Sequence, residues 1–398
     1  MVVVAAGSVA WFNGGVTGCS PTRKAPKMLR FVMRSTLLPL YNAVPLRRFP
    51  LIFFSTSFFG DNPLLVRDFI HAALYDPNHG YFSNISSPVG VLEKSIRFNQ
   101  LQGRDAYLQY LDKVYKHHDI VWFTPVELFK PWYAYAIAEA ILRTANLSVP
   151  LKGMLILILV GLYCWRFLTI FHMISSIAVI KFLHGWRFGL RKCRKGSLQV
   201  SETYRPLQDA LISRCIHIVG LDRDEKANGR SFVSAARRIW SKAFPKPCQA
   251  WLPTGCLQLL EVLHWALPKM SLIASDFSYL PDVTIMGDRA PLVSTKKDGI
   301  TVDHRSYLDA KGDSDIFFPT DFTLLERIDH HCSLFSREKK NTTSKSTKLR
   351  RSIILDTAAF MEEFGLPLKT KTKDGHNPLL DDFKNTKFYL SVPTHNMN

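Results

Sequence analysis

Between Glu139 and Glu202 the chain has no acidic residue, and inside this interval lies its most apolar stretch, GMLILILVGLYCWRFLTIFHMISSIAVIKFLHGWRFGLRKCRKG at 153–196. A stretch of this kind has few fates. It can be foreign sequence, such as translated intron, interrupting a domain. It can cross a membrane: Met154–Ile180 is 27 residues long, more than the ~20 a spanning helix needs. Arg166 near its centre costs ~3 kcal/mol, which the surrounding Leu, Ile, Val and Phe residues can offset at ~0.3–0.6 kcal/mol each. Or LILILV at 155–160 is a fully buried parallel strand and the remainder is core helix. The abrupt changes of composition at Lys152 and near Ser201 favour the first reading.

Charge follows the same boundaries. Of 51 Lys and Arg, seven lie in residues 1–60 and nine in 140–201, two segments without any acid; the rest holds 35 bases against 33 acids. The net charge of +18 therefore belongs to two segments and not to a nucleic-acid-binding face. Residues 1–60 read as a mitochondrial transit peptide or disordered leader. They are acid-free and Arg-bearing, and Leu29, Val32, Met33, Leu37 and Leu40 share one helical face beside Arg30 and Arg34. Seven cysteines without CxxC spacing support neither a zinc site nor a disulfide framework.

Four regions result: the leader 1–60, a helical region 61–151, the apolar basic segment 152–200, and an α/β region 201–398. In the second, Asn62-Pro63 predicts a cap for a helix carrying Leu65, Val66, Phe69, Ile70, Ala73 and Leu74. Further helices are expected over 105–116 and 126–145. In the fourth, helices are expected over 204–219, 229–244, Cys256–Leu267 and 321–332. SLIASD at 271–276, SIILDTAAF at 352–360 and KFYLSVP at 387–393 read as strands. The run 337–351 reads as a solvated basic loop.

LYDPNHGYF (74–82), FTPVELF (123–129), LIASDFSYLPD (272–282), GDSDIFFPTDFTLLERI (312–328) and KNTKFYLSVPTHN (384–396) together resemble, in this order, motifs of the MidA-like family. That family includes the mitochondrial complex I assembly factor with protein arginine methyltransferase activity, and the plant branch is the nearest match. The resemblance covers about 60–150 and 203–398. It implies an α/β, Rossmann-like class I methyltransferase fold with a helical N-terminal region. It also implies S-adenosylmethionine as cofactor, methyl transfer to an arginine, a mitochondrial matrix location, and a core subunit or assembly intermediate of complex I as partner.

The apolar segment stands where such a fold needs its first strand and glycine-rich turn, whose missing Cβ atoms let the backbone approach the cofactor. Between Leu151 and Ser201 the glycines are 153, 161, 185, 189 and 196, never in GxGxG spacing, and no acid is present to hold a ribose. Three βα units of ~30 residues would not fit there either. The catalytic residues are therefore not identifiable. Asp276, at a strand end, is the leading pocket candidate, with a turn aspartate as the competing reading. Tyr81 and Glu127 lie in family motifs, with packing and capping as the competing reading. Asp321 reads as a helix cap. Asp329-His330-His331-Cys332, and likewise His117-His118, read as solvated helix ends, since adjacent helical residues diverge and do not converge on a metal. Two functions stay open: an S-adenosylmethionine-dependent protein arginine methyltransferase, or a non-catalytic assembly protein, membrane-attached through 154–180.

Overall fold

The computed structural model describes residues 2–6, 64–84, 90–117, 123–148, 156–160, 178–182, 189–192, 200–203, 206–219, 248–268, 270–297, 300–338 and 350–394. In chain order the elements are β1 (Val2–Ala6), α1 (Val66–Tyr75), α2 (Tyr81–Asn84), α3 (Arg104–His117), α4 (Pro125–Leu128) and α5 (Trp132–Ser148). Then come β2 (Ile156–Val160), β3 (Ala178–Phe182), β4 (Gly189–Lys192), β5 (Val200–Thr203), α6 (Ala210–Val219), β6 (Cys248–Leu252) and α7 (Thr254–Ala266). The remainder holds β7 (Ser271–Phe277), β8 (Leu292–Lys297), β9 (Ile300–Asp303), β10 (Asp315–Phe317), α8 (Phe322–Glu338), β11 (Arg350–Asp356), α9 (Thr357–Phe364), α10 (Pro378–Asp381) and β12 (Thr386–Pro393).

The main sheet has the order β11-β12-β7-β1-β2. β1 lies parallel to both β7 and β2, while β12 is antiparallel to β7 and to β11. The two late strands thus close one side of the sheet. Successive side chains of a strand point to opposite faces, and the cores follow. Ile273, Phe388 and Leu390 pack with Ala136, Ile137 and Ala140 of α5 and Phe360 of α9. Leu272 and Tyr389 pack on the other face with Leu257 and Leu260 of α7 and Leu325 and Ile328 of α8. A strand buried on both faces needs an apolar run, which Leu272-Ile273-Ala274 supplies after the buried Ser271 at the start of β7. A third cluster joins α1 and α2 to Trp251, Val293 and Ile316, beside the small antiparallel sheet β10-β8-β9.

Several expectations change. A membrane-spanning helix over 154–180 does not form: Ile156–Val160 is a strand paired with β1, and Ala178–Phe182 pairs antiparallel with β6. Short runs rich in Ile and Val fit a pleated surface better than a helix. Among the described residues no helix is long and apolar enough to cross a membrane. Val2–Ala6, for which the sequence suggested no element, supplies the strand between β7 and β2; the amphipathic pattern at 29–40 lies outside the described residues. So do Asn62-Pro63, the helix expected at 229–244, and 339–349 of the basic run. The helix expected over 126–145 is two helices, divided at Lys130-Pro131, because proline lacks an N–H and its ring clashes with a preceding turn. SIILDTAAF is half strand and half helix. Asp356 ends β11 and caps α9, accepting from the Ala359 amide at 2.8 Å.

Candidate functional site

Asp276 stands one residue before the end of β7, on the α7/α8 face after Leu272 and Ala274. Its Oδ2 accepts from Thr320 Oγ1 at 2.5 Å and its Oδ1 from the Phe277 amide at 2.8 Å. Burial pushes this carboxyl up to about 6, against the pull of those two hydrogen bonds. The Thr320 amide in turn donates to the Phe277 carbonyl at 2.7 Å, so the segment entering α8 is tied to the carboxyl end of β7. In open α/β sheets, ligand crevices lie at this end of parallel strands.

In front of Thr320 is an open cleft lined by Trp251, Cys256, Arg289, Phe318, Asp321 and Leu324, among others. Asp321 caps α8, accepting from the Leu324 amide at 3.0 Å, and its other oxygen accepts from Arg289 Nη1 at 2.8 Å. Arg289 Nη2 donates to Asp288 at 2.7 Å. The loop holding Arg289 is fixed to β6 by Trp251 N to Asp288 O (3.1 Å) and Asp288 N to Gln249 O (2.8 Å). It passes through left-handed backbone at Gly287 (φ 120°) and at Arg289 itself (φ 61°). A non-glycine residue there is strained, and the paired guanidinium helps to hold it. Trp251 is fully buried and meets Tyr307 edge-on at 5.3 Å. Cys256 is not poised as a nucleophile, because burial raises its thiol well above the ordinary range.

The other two candidates take packing positions. Tyr81 is buried against Phe82, with ring centroids 5.0 Å apart, in the apolar cluster that contains Trp251. It does not line the cleft. Burial raises its phenol strongly. Glu127 is buried elsewhere. Its Oε1 accepts from the Leu92 amide at 2.6 Å and from Lys130 Nζ at 2.5 Å, and its amide is capped by Thr124. The sequence reading missed Arg289, Asp288 and Trp251. The glycine before Asp288-Arg289 was the available signal.

Asp329-His330-His331-Cys332 is not a solvated helix end. Asp329 and Cys332 are buried within α8. Asp329 accepts from His264 Nε2 (2.6 Å), Arg350 Nε (3.0 Å), Tyr389 OH (2.8 Å) and Ser391 Oγ (2.6 Å). Arg350, the penultimate base of the run read as solvated, is buried with it and also donates to the Met270 and Ser391 carbonyls. Among the described residues no group of His, Cys, Asp and Glu could hold a metal ion.

Residues 217–338, under a third of the chain, match the model of a family described as putative S-adenosyl-L-methionine-dependent methyltransferase. The matched segment contains β6, α7, β7 and every cleft residue named above. Among solved structures, the chain is similar to "a COG1565 superfamily member and likely methyl transferase from Burkholderia thailandensis bound to S-adenosyl-homocysteine". The identity is 10%, over 83% of this chain and 88% of that one, with a TM-score of 0.44. It is also similar to an uncharacterized COG1565 superfamily protein from the same organism, at 9% identity over 55% and 52% of the two chains, with a TM-score of 0.30. No curated protein matches the chain significantly.

Of the three mutually parallel strands, β1 and β2 lie in segments without any acid. Asp276, on β7, is engaged by Thr320 and its own strand.

Proposed function

We propose that the chain functions in S-adenosylmethionine-dependent methyl transfer to a protein arginine, with a Rossmann-like methyltransferase fold, in the mitochondrial matrix and on a core subunit of respiratory complex I. The observation that carries the reaction class is the match of 217–338 to the methyltransferase family model, because that segment contains the whole cleft. The arginine acceptor is supported by the resemblance of the five sequence motifs to the family. A guanidinium stays protonated and presents its donors in a planar fork; in the cleft Asp321 already accepts from that of Arg289, which also donates to Asp288, so a substrate arginine would have to displace Arg289 to reach Asp321. The five sequence motifs, in family order, support the matrix location and the complex I partner.

The acid-free β1 and β2 favour a second reading, a non-catalytic assembly protein that retains the family's outer shell. Calorimetry of the full chain with S-adenosylmethionine separates the two. Binding at micromolar affinity supports the enzyme, and no heat at millimolar ligand supports the second reading.

A further inference from the structure

After α9 the chain reads Gly365-Leu366-Pro367-Leu368-Lys369-Thr370-Lys371-Thr372-Lys373. Thr370 and Thr372 are buried, whereas Leu366, Leu368 and all three lysines face solvent. Leu368 is 78% exposed and Leu366 40%. The leucines are held out by a fixed backbone. Thr370 Oγ1 donates to Asn377 Oδ1 at 2.9 Å, and Asn377 Nδ2 to the Pro367 carbonyl at 2.8 Å. The Thr372 amide donates to His376 O and the Lys373 amide to Leu101 O. Gly365 lies so close to α5 that a Cβ there would stand 3.3 Å from the Ala136 methyl.

On the same side Trp132 of α5 lies beneath a lysine of the strip. Lys369 Nζ lies 5.4 Å above the Trp132 ring. Tyr135, three residues on and so on the same face of α5, is 46% exposed. The charge of the strip is basic. Asp374 is its acid, and that carboxylate accepts from Thr372 Oγ1 and the His376 amide. Of the glutamates at the end of α9, Glu363 pairs with Arg143 at 2.7 Å, and Glu362 is exposed.

Protruding leucines, a Trp beneath Lys369 with an exposed Tyr on the same face of α5, and lysines alternating along the strip have the chemistry of the layers of a bilayer surface. Leucine tips reach the acyl boundary, the amphipathic rings sit at headgroup level, and lysine stems lie along apolar surface while their ammonium groups meet phosphate. We propose that residues 365–373, with Trp132 and Tyr135, form a docking edge for an anionic lipid bilayer. This proposal does not depend on the methyl-transfer reading.

The test uses the full chain with vesicles of phosphatidylcholine, with and without phosphatidylglycerol. Hydrogen exchange is followed in peptides covering 365–376, so that binding through other basic segments is not mistaken for binding here. Exchange is expected to slow on anionic vesicles and not on neutral ones. The variant Lys369→Gln/Lys371→Gln/Lys373→Gln should lower partitioning on the order of 100-fold, and Leu368→Asp should abolish the local protection. Unchanged exchange at 365–376 on vesicle-bound protein, absence of binding, or wild-type partitioning by the triple variant overturns the proposal. Protection of these peptides by an acidic protein but not by vesicles overturns it as well.

Discussion

Replacing Asp329 by Asn changes no volume to speak of, yet should be among the most damaging substitutions in this chain. The carboxylate is fully buried, as is the Arg350 guanidinium it faces, with side-chain exposures of 0% and 1%. Four donors converge on it, from α7, β11 and two positions of β12. An amide keeps the shape but removes the countercharge and turns one acceptor into a donor aimed at other donors. Breaking one side of a buried ion pair costs about 3–5 kcal/mol, a large part of the ~5–15 kcal/mol that stabilises a typical domain. The pH dependence gives a second signature. Burial alone would raise this carboxyl, but the hydrogen bond from His264 and the charge of Arg350 hold it far below the usual range. A depressed carboxyl contributes its stability above the unfolded value of ~3.9 and loses it as pH falls toward the folded value. The gap between wild type and variant should therefore be full at neutral pH and close progressively below about pH 4. Urea unfolding followed by circular dichroism at several pH values measures both effects. Replacing the pair together, Asp329→Leu with Arg350→Met, leaves no charge unpaired but strands the His264, Tyr389 and Ser391 donors, so it should recover the charge part of the loss and not the hydrogen-bond part. A neutral-pH loss below about 1 kcal/mol for the single variant would refute the reasoning.

Two further outcomes follow from the same sheet. Asp276 has the opposite sign: burial raises its folded value to about 6, so its ionisation destabilises the fold as pH rises from about 4 to 6. Asp276→Asn should add about 1–2 kcal/mol at pH 7.5 and flatten that part of the profile in thermal unfolding; a variant less stable than wild type at pH 7.5 would contradict it. Phe388 is fully buried and stacked on Phe360 with centroids 3.7 Å apart, so Phe388→Ala should cost about 3–5 kcal/mol in chemical unfolding.

Much of the C-terminal half was legible because its signals are local. The apolar run SLIASD declared β7, Pro268 closed α7, and Asp321 capped α8. The apolar-rich KFYLSVP segment declared β12, and the expectation that two late strands close one side of the sheet is met by the β11–β12 pairing. Of the residues lining the cleft, the sequence reading named Asp321, as a helix cap, while Asp276 reaches the cleft only through its hydrogen bond with Thr320. Apart from the glycine that precedes Asp288-Arg289, these residues and Trp251 carry no local pattern that marks a cleft, because what makes them a site is the approach of the β7–β8 loop to β6.

The sequence alone determined that the chain is an α/β protein and that its excess charge sits in two acid-free segments, and it carried, on the flanks of the apolar block, a resemblance to the ordered motifs of a methyltransferase family. These properties reside in composition, periodicity and order, which no tertiary contact alters. Only the tertiary structure decided that the start of the block is a strand and not a membrane helix, because a short Ile/Leu run satisfies either geometry until a partner strand is present. It alone decided that Asp329 is, among the described residues, a buried carboxylate with four donors rather than a surface charge. A polar residue's burial depends on whether donors from distant segments converge on it, and here they come from 264, 350, 389 and 391.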